Sequence, residues 1–402
     1  MKAAALGVCL VLALDCQGGG VSLEPGTLGA SFQNANSLRE DGAVLQEVVE
    51  TGPAARAGLR SGDLILGIDG TPVNGVCAFE HELSRRNAGE EVRLSVRRGP
   101  EILEKTIKLA RARAFCEKAC DDGLASGCYL LGVLHAKGAE NGLANQRFKQ
   151  ACRDGSAEAC GELGGRLLQG IKESAEEAFI FGLVRTGCDG GSAQGCAYLA
   201  YLYATGERGI PKNDAQALVL YDKACHEGDS NACYNAGLHF EKGRGTLADE
   251  GRALTAYQRA CDLGSALGCT NAGFLHERGF GVHPDVMRAA LAYRRACEGT
   301  VCGNVDPLAC FNLGVLYRDG EGVKQDKATA VKLFTRSCAK GNSYGCANLA
   351  DLYHTGDGVT QDLEYARELY KMACSLEHEG ACEFLKEMEQ SPGSAGVPPA
   401  TN

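Results

Sequence analysis

With 402 residues the chain is long enough for two or three domains, and its 45% apolar composition suits a folded protein with a sizeable core. Acidic residues outnumber basic ones by 51 to 41, with no dense Lys/Arg block, which argues against nucleic acid or an anionic membrane as partner. The 21 cysteines matter more, because a reducing cytosol discourages ordered thiol pairs unless they hold metal or do redox chemistry.

The N-terminus fits an oxidising destination. One lysine, Lys2, precedes an apolar run from Ala3 to Leu14, too short to span a bilayer and of the right length for a signal-peptide core over residues 1–18. Cys16 is a poor lipidation site, since Asp15 stands where a small residue is expected. Export to the periplasm or beyond is therefore expected, with a lipid-anchored form less so. No later segment is apolar enough to cross a membrane.

Residues 19–112 read as a β-rich domain. Gly42 to Val49, Asp63 to Gly70, Glu91 to Arg98 and Glu104 to Leu109 have the pattern of buried strands. Between the first two, Pro53 opens a short Ala-rich helix that Gly58 closes. Cys77 to Gly89 reads as the one longer helix.

The stretch "GPAARAGLRSGDLILGIDGTPV" resembles the central signature of a PDZ domain of the bacterial, HtrA-associated type. The resemblance implies a groove for a peptide's terminal carboxylate at Leu28 and Gly29. The strand that follows, including Ala30, Ser31 and Phe32, would offer an edge to which an extended peptide adds. Ala78, Glu82 and Arg85 would line the helix wall, which departs from the apolar lining usual in that family. Its protease relatives carry a serine hydrolase domain ahead of the PDZ, for which this sequence leaves no room.

From residue 113 to 389 a different order takes over. Cysteines recur eight residues apart at 120/128, 152/160, 188/196, 225/233, 261/269, 338/346 and 374/382, with a further copy at 302/310, and the second of each pair repeats about every 36 residues. After that cysteine, apolar or small residues return at steps three, four and seven, the spacing of a helix face, and a glycine stops the helix. The residue at step four is small (Ala200, Gly237, Gly273, Gly314, Ala350), which lets a neighbouring helix come close.

A loop ending in aspartate follows, best seen in "GFGVHPD", "GEGVKQD" and "GDGVTQD". Asp214, Asp249, Asp285, Asp326 and Asp362 stand where a carboxylate can cap a second helix. That helix carries a stripe such as Ala253–Tyr257–Cys261 or Ala289–Tyr293–Cys297. Two helices per unit, neither able to bury its face alone, require stacking.

These units resemble the Sel-one-like repeat, a relative of the tetratricopeptide repeat. The cysteine spacing is similar to that of the Hcp-type cysteine-rich secreted proteins. The expected fold is therefore multidomain: a small α+β PDZ domain followed by an all-α right-handed solenoid of about seven helix-turn-helix repeats. The units at Cys128 and Cys160 lack the full loop, and residues 390–402 read as a disordered tail.

Bonding each pair would staple the end of one unit's second helix to the start of the next unit's first. The expected pairs are Cys120–Cys128, Cys152–Cys160, Cys188–Cys196, Cys225–Cys233, Cys261–Cys269, Cys338–Cys346 and Cys374–Cys382. An insertion in "RRACEGTVCGNVDPLAC" leaves both Cys297 and Cys302 as partners for Cys310, with the helix-end position favouring Cys297. Cys77 and Cys116 have no evident partner. Zinc would need four convergent ligands where each pair supplies two, and redox catalysis usually has a two-residue spacer.

Hcp-type relatives also bring β-lactam binding or hydrolysis into consideration as the alternative activity. Its chemistry needs a serine activated by a nearby lysine or glutamate, and the one SxxK match, Ser337 to Lys340, spans a staple cysteine without companion motifs. The histidines, among them His239, His276 and His354, are scattered and read as surface or groove positions. A recurring asparagine at Asn235, Asn271, Asn312 and Asn348 reads equally well as a ladder for an extended peptide or as a tie between adjacent units. The reading favoured is a non-enzymatic, cofactor-free adaptor for protein or peptide partners.

Overall fold

The computed structural model describes residues 26–27, 30–34, 43–48, 53–60, 62–73, 79, 82–83, 86, 89–170, 177–299 and 305–390. The signal-peptide and tail segments, and Cys9, Cys16, Cys77 and Cys302, lie outside them. Two compact units divide the chain, Met1–Asn213 and Asp214–Asn402.

The first unit begins with strands β1 (Gly26–Thr27), β2 (Ala30–Asn34) and β3 (Ala43–Val48), then α1 (Pro53–Arg56). Strands β4 (Leu64–Ile68), β5 (Thr71–Pro72), β6 (Glu91–Arg98), β7 (Glu101–Lys108) and β8 (Ala110–Arg111) follow. The main sheet is antiparallel in the order β2-β3-β4-β6-β7, with β5 folded back on β4. In β6 the alternation expected of a half-buried strand is complete: Val92, Leu94 and Val96 are fully buried while Glu91 and Arg93 are exposed. Leu45, Ile65, Ile68, Phe79 and Leu83 join them in one core. The β4–β5 turn has Asp69 and Gly70 both at positive φ, the conformation a two-residue hairpin needs. A separate ladder pairs β1 with β8, which runs directly into the first helix of the array.

Helices α2 (Ala112–Asp121), α3 (Ala125–Lys137), α4 (Asn141–Arg153), α5 (Ala157–Gly170), α6 (Glu177–Asp189) and α7 (Ala193–Thr205) complete this unit. The second unit holds α8 (Asp214–His226), α9 (Ser230–Lys242), α10 (Glu250–Asp262), α11 (Ala266–Arg278) and α12 (Val286–Glu298). It continues with α13 (Pro307–Asp319), α14 (Lys327–Ala339), α15 (Ser343–Thr355), α16 (Leu363–Ser375) and α17 (Glu379–Gln390). Together they form a tandem α-helical repeat solenoid.

Within a repeat, the small residue at step four fixes how closely the two helices meet. A Cβ built on Gly132, Gly237, Gly273 or Gly314 would sit 2.5–2.7 Å from the ring of Phe148, Tyr257, Tyr293 or Phe334 in the second helix. The first helices α9, α11, α13 and α15 end on Gly243, Gly279, Gly320 and Gly356, all left-handed, which only glycine adopts freely. Asp249, Asp285, Asp326 and Asp362 then cap α10, α12, α14 and α16, each carboxylate accepting from a backbone N–H at 2.9–3.0 Å.

Asp214 departs from that expectation, because it is the first residue inside α8 rather than its cap. The loop ahead of it, residues 206–213, is one residue longer than those before α10, α12, α14 and α16, with Arg208 and Gly209 both at positive φ. Asn213 consequently takes the equivalent register, its N–H donating to the Tyr203 carbonyl as that of Asp249 does to Phe240.

Candidate functional site

The two edges of the sheet differ in chemistry. Strand β7 carries Glu101, Glu104, Lys105 and Lys108, and such charges guard an edge against pairing with another chain. Strand β2, Ala-Ser-Phe-Gln-Asn, carries none. It pairs with β3 on one side, from Ala30 opposite Val48 to Asn34 opposite Ala43, with a register shift between Ser31 and Phe32. Among the described residues its other side has no strand partner.

The expected groove residues divide accordingly. Ala30, Ser31 and Phe32 lie in β2, while Leu28, Gly29, Ala78 and Arg85 fall outside the described residues. Glu82 is half-buried on a helical segment whose Phe79 and Leu83 point into the core.

An ion pair behind the sheet fixes the α1–β4 connection. Asp63 is 1% exposed and accepts from Arg98 Nε and Nη2, each at 2.7 Å, and from the Arg60 N–H at 2.9 Å. Arg98 also donates to the Gly58 carbonyl at 2.9 Å. Burial pushes the Asp63 carboxyl up, but its bonds to Arg98 and the Arg60 N–H outweigh this and hold it below the usual carboxylate range. The "GLRSGD" turn is thereby locked to β6.

In the helical array the cysteines pair at each junction. The structure joins Cys120–Cys128, Cys152–Cys160, Cys188–Cys196, Cys225–Cys233, Cys261–Cys269, Cys338–Cys346 and Cys374–Cys382. Across the insertion it joins Cys297 to Cys310. Cα–Cα separations of 4.3–4.8 Å lie within the range a disulfide spans easily. Cys116 is a buried free thiol.

The eight-residue spacing has a local cause. Each segment holds a helix's last turn, a left-handed residue, which is a glycine such as Gly228 or Gly264 except for Glu377 between Cys374 and Cys382, an N-cap such as Asp229 or Ser265, and the next helix's first turn. Arginines reinforce the joint from the following repeat. Arg259 donates to the Cys225 and His226 carbonyls, each at 3.2 Å, and Arg295 to the Cys261 carbonyl at 3.1 Å, placing cations on helix C-termini.

A second tie between repeats is made of hydrogen bonds. The buried Tyr257 donates to Glu241, eight residues after the staple cysteine of its own repeat, at 2.6 Å, and bonds Asn271 of the next. Tyr293 repeats the arrangement with Glu277 at 2.8 Å and Asn312. Burial, with the facing glutamate, pushes both phenols up. Where the tyrosine becomes Phe334, the glutamate position becomes Arg318, which reaches Asn348 directly at 2.7 Å. Asn271, Asn312 and Asn348 therefore tie adjacent repeats, and Asn348 is fully buried in doing so.

The histidines correct the sequence reading, since His239, His276 and His354 are all buried. His239 and His276 occupy steps six and seven of their first helices, which in other repeats carry residues such as Leu275, Leu316 and Phe240. Ser337 is wholly buried and donates to the Pro307 carbonyl at 2.6 Å, while Lys340 caps α14 in solvent. That serine is a packing element with no room for a substrate. Among the described residues no group of three or more His, Cys, Asp or Glu could hold a metal ion.

Comparison with known proteins agrees with this anatomy. Residues 26–109 match the PDZ domain, and residues 125–147, 193–229, 230–265, 266–300, 307–342 and 343–378 match the Sel1 repeat. The chain belongs to the Sel1-repeat family and carries an N-terminal PDZ domain.

It is similar to DegP-like periplasmic serine endoproteases of Halomonas elongata and Pseudomonas fulva. The identities are 34% over 91 residues (22% of this chain, 18% of that protein) and 36% over 93 residues (21% and 19%). The chain thus spans under a fifth of the length of these curated relatives. A protective antigen of uropathogenic Escherichia coli strains displaying an SLR fold superimposes with a TM-score of 0.56 at 29% identity, over 63% of this chain and 53% of that one. A Sel1 repeat protein from Oxalobacter formigenes gives 0.53 at 27%, over 58% and 92%. The PDZ and Sel1-repeat architecture fits a protein–protein interaction scaffold, and the β-lactam alternative finds no support in it.

Proposed function

We propose that the protein is an extracytoplasmic adaptor in which the β2 edge receives a peptide C-terminus or strand and the helical array docks a second protein. The reading takes residues 1–18 as a signal peptide, 19–112 as the peptide-binding domain, 113–389 as the docking array and 390–402 as a tail. One observation carries the peptide-binding part: of the sheet's two edges, β7 is guarded by charge and β2 is left without any. Export is supported by the apolar N-terminal run, by the periplasmic location in the names of the endoproteases whose PDZ segment this chain resembles, and by a set of staples that a reducing compartment would not maintain.

Leu28 and Gly29 hold the carboxylate in this reading, with Glu82 and Arg85 biasing the groove towards peptides bearing complementary charge. Fluorescence polarisation against a C-terminal peptide library tests it. A binding peptide whose affinity falls at least tenfold on amidation of its C-terminus, and again in Gly29→Val, is the expected result. A library without binders, or binding indifferent to both changes, contradicts it.

A further inference from the structure

One position departs from the chemistry of the array's second helices. Five residues before the staple cysteine they carry Leu183, Leu220, Ala256, Ala292, Leu333 and Leu369, whereas α4 carries Arg147. Its Nη1 lies 3.8 Å from Sγ of Cys120, in the staple of the preceding junction. We propose that Cys120–Cys128 is the array's reducible staple, at which a dithiol reductant of the Cys-x-x-Cys class acts, with Arg147 holding the Cys120 thiolate that reduction releases.

Every junction makes its two sulfurs unequal. The second cysteine stands in the first turn of a helix, whose dipole favours a thiolate, and the first in the last turn of one, whose dipole opposes it. At Cys120 a guanidinium offsets that opposition. The junction arginine at Cys261 turns elsewhere: Arg295 donates to the Cys261 carbonyl at 3.1 Å and is neutralised by Asp262 at 2.8 Å. In α4 the step of Arg295 holds Gln150, whose side-chain oxygen accepts from Arg147 at 3.0 Å. Among the described residues no carboxylate pairs with Arg147, so its charge is left for the sulfur.

A thiolate of the reductant attacks Cys128, the S–S bond breaks, and its electron pair goes to Cys120 beside Arg147. The reductant's second thiol then displaces Cys128 and closes its own disulfide, so that two electrons and two protons pass to the protein. Both sulfurs are buried, so attack waits on opening of the joint, while the guanidinium shifts the equilibrium whatever the route of access. The bond stays closed in an oxidising compartment. Its reduction frees α2, the helix into which β8 of the PDZ domain runs, from covalent attachment to α3.

Equilibration of the full chain in graded dithiothreitol buffers at about pH 8, then acid quench, alkylation and peptide mapping, gives the reduction midpoint of each staple. Cys120–Cys128 should be about tenfold easier to reduce than Cys261–Cys269, a midpoint about 30 mV less negative. Arg147→Leu, the residue type four of the other second helices carry, should remove the difference, and Arg147→Lys should keep most of it. Equal midpoints in the wild-type chain, or a difference that survives Arg147→Leu, overturns the proposal. Cys116 is a free thiol in the same core cluster, so the difference should also persist in Cys116→Ala. Its loss there would assign the lability to exchange with that thiol and refute the role of Arg147.

Discussion

Gly273 lies against the face of Tyr293, and a methyl group on that glycine would stand 2.7 Å from the ring. The contact sets the separation of α11 from α12. Replacing Gly273 by alanine brings about 1 kcal/mol of helix propensity, outweighed by an overpacking cost of about 2 kcal/mol. A lowered denaturation midpoint is expected. Gly182, in α6 with nothing within 4 Å of its missing Cβ, supplies the internal contrast. Gly182→Ala should raise stability by up to about 1 kcal/mol. Urea titration of both variants with disulfides intact measures the difference in sign.

The aspartate caps should act alike and independently. Asp249→Ala removes the acceptor for the Arg252 N–H at the start of α10, and Asp326→Ala does the same for Thr329 in α14. Each should cost about 1 kcal/mol. The double variant should show the sum, because the sites are distant and share no partner. Asp214→Ala should cost less than either, since that residue stands inside the helix.

Removing one staple should hurt locally. Cys225→Ala with Cys233→Ala opens a closed loop of about nine residues, worth about 2.5 kcal/mol in the chain-entropy account. Limited proteolysis should then cut first near Gly228 and leave the Cys338–Cys346 junction protected. Uniform digestion would show that the staples act globally instead.

Acid should attack the sheet through Asp63. Its folded carboxyl titrates below the unfolded one, so the stabilisation it gives is complete above the unfolded value and is lost as pH falls through the folded one. Arg98→Met removes the main partner, leaving a buried carboxylate held by the Arg60 N–H. That variant should be destabilised at neutral pH and should lose the wild-type acid dependence, read from the thermal midpoint of the N-terminal domain.

Much of this architecture is legible in the sequence because its determinants are local. The glycine that ends a first helix, the aspartate six residues on and the small residue at step four each do their work within one repeat, and the period exposes them. The tyrosine–glutamate–asparagine ties are not legible in the same way. Glu277 and Tyr293 are 16 residues apart and Asn312 lies a repeat further on, so their meeting depends on how successive hairpins stack. Reading His239 as exposed failed for a related reason: its chemistry predicts a wet site, whereas its step along the helix places it where other repeats bury leucine. For Asp214, one additional loop residue left Asn213 in the capping register, which matching on the aspartate alone conceals.

The central claim is a stapled, exported docking protein, and the thiol count of the mature chain tests it most directly. Protein recovered from its native host, alkylated without reduction and peptide-mapped by mass spectrometry, should show no label on any of the sixteen cysteines from Cys120 to Cys382 that pair in the structure. It should also lack residues 1–18, proposed above as a signal peptide. Labelled cysteines at the repeat junctions, on a chain that keeps Lys2 to Leu14, would contradict both the staples and the export they imply.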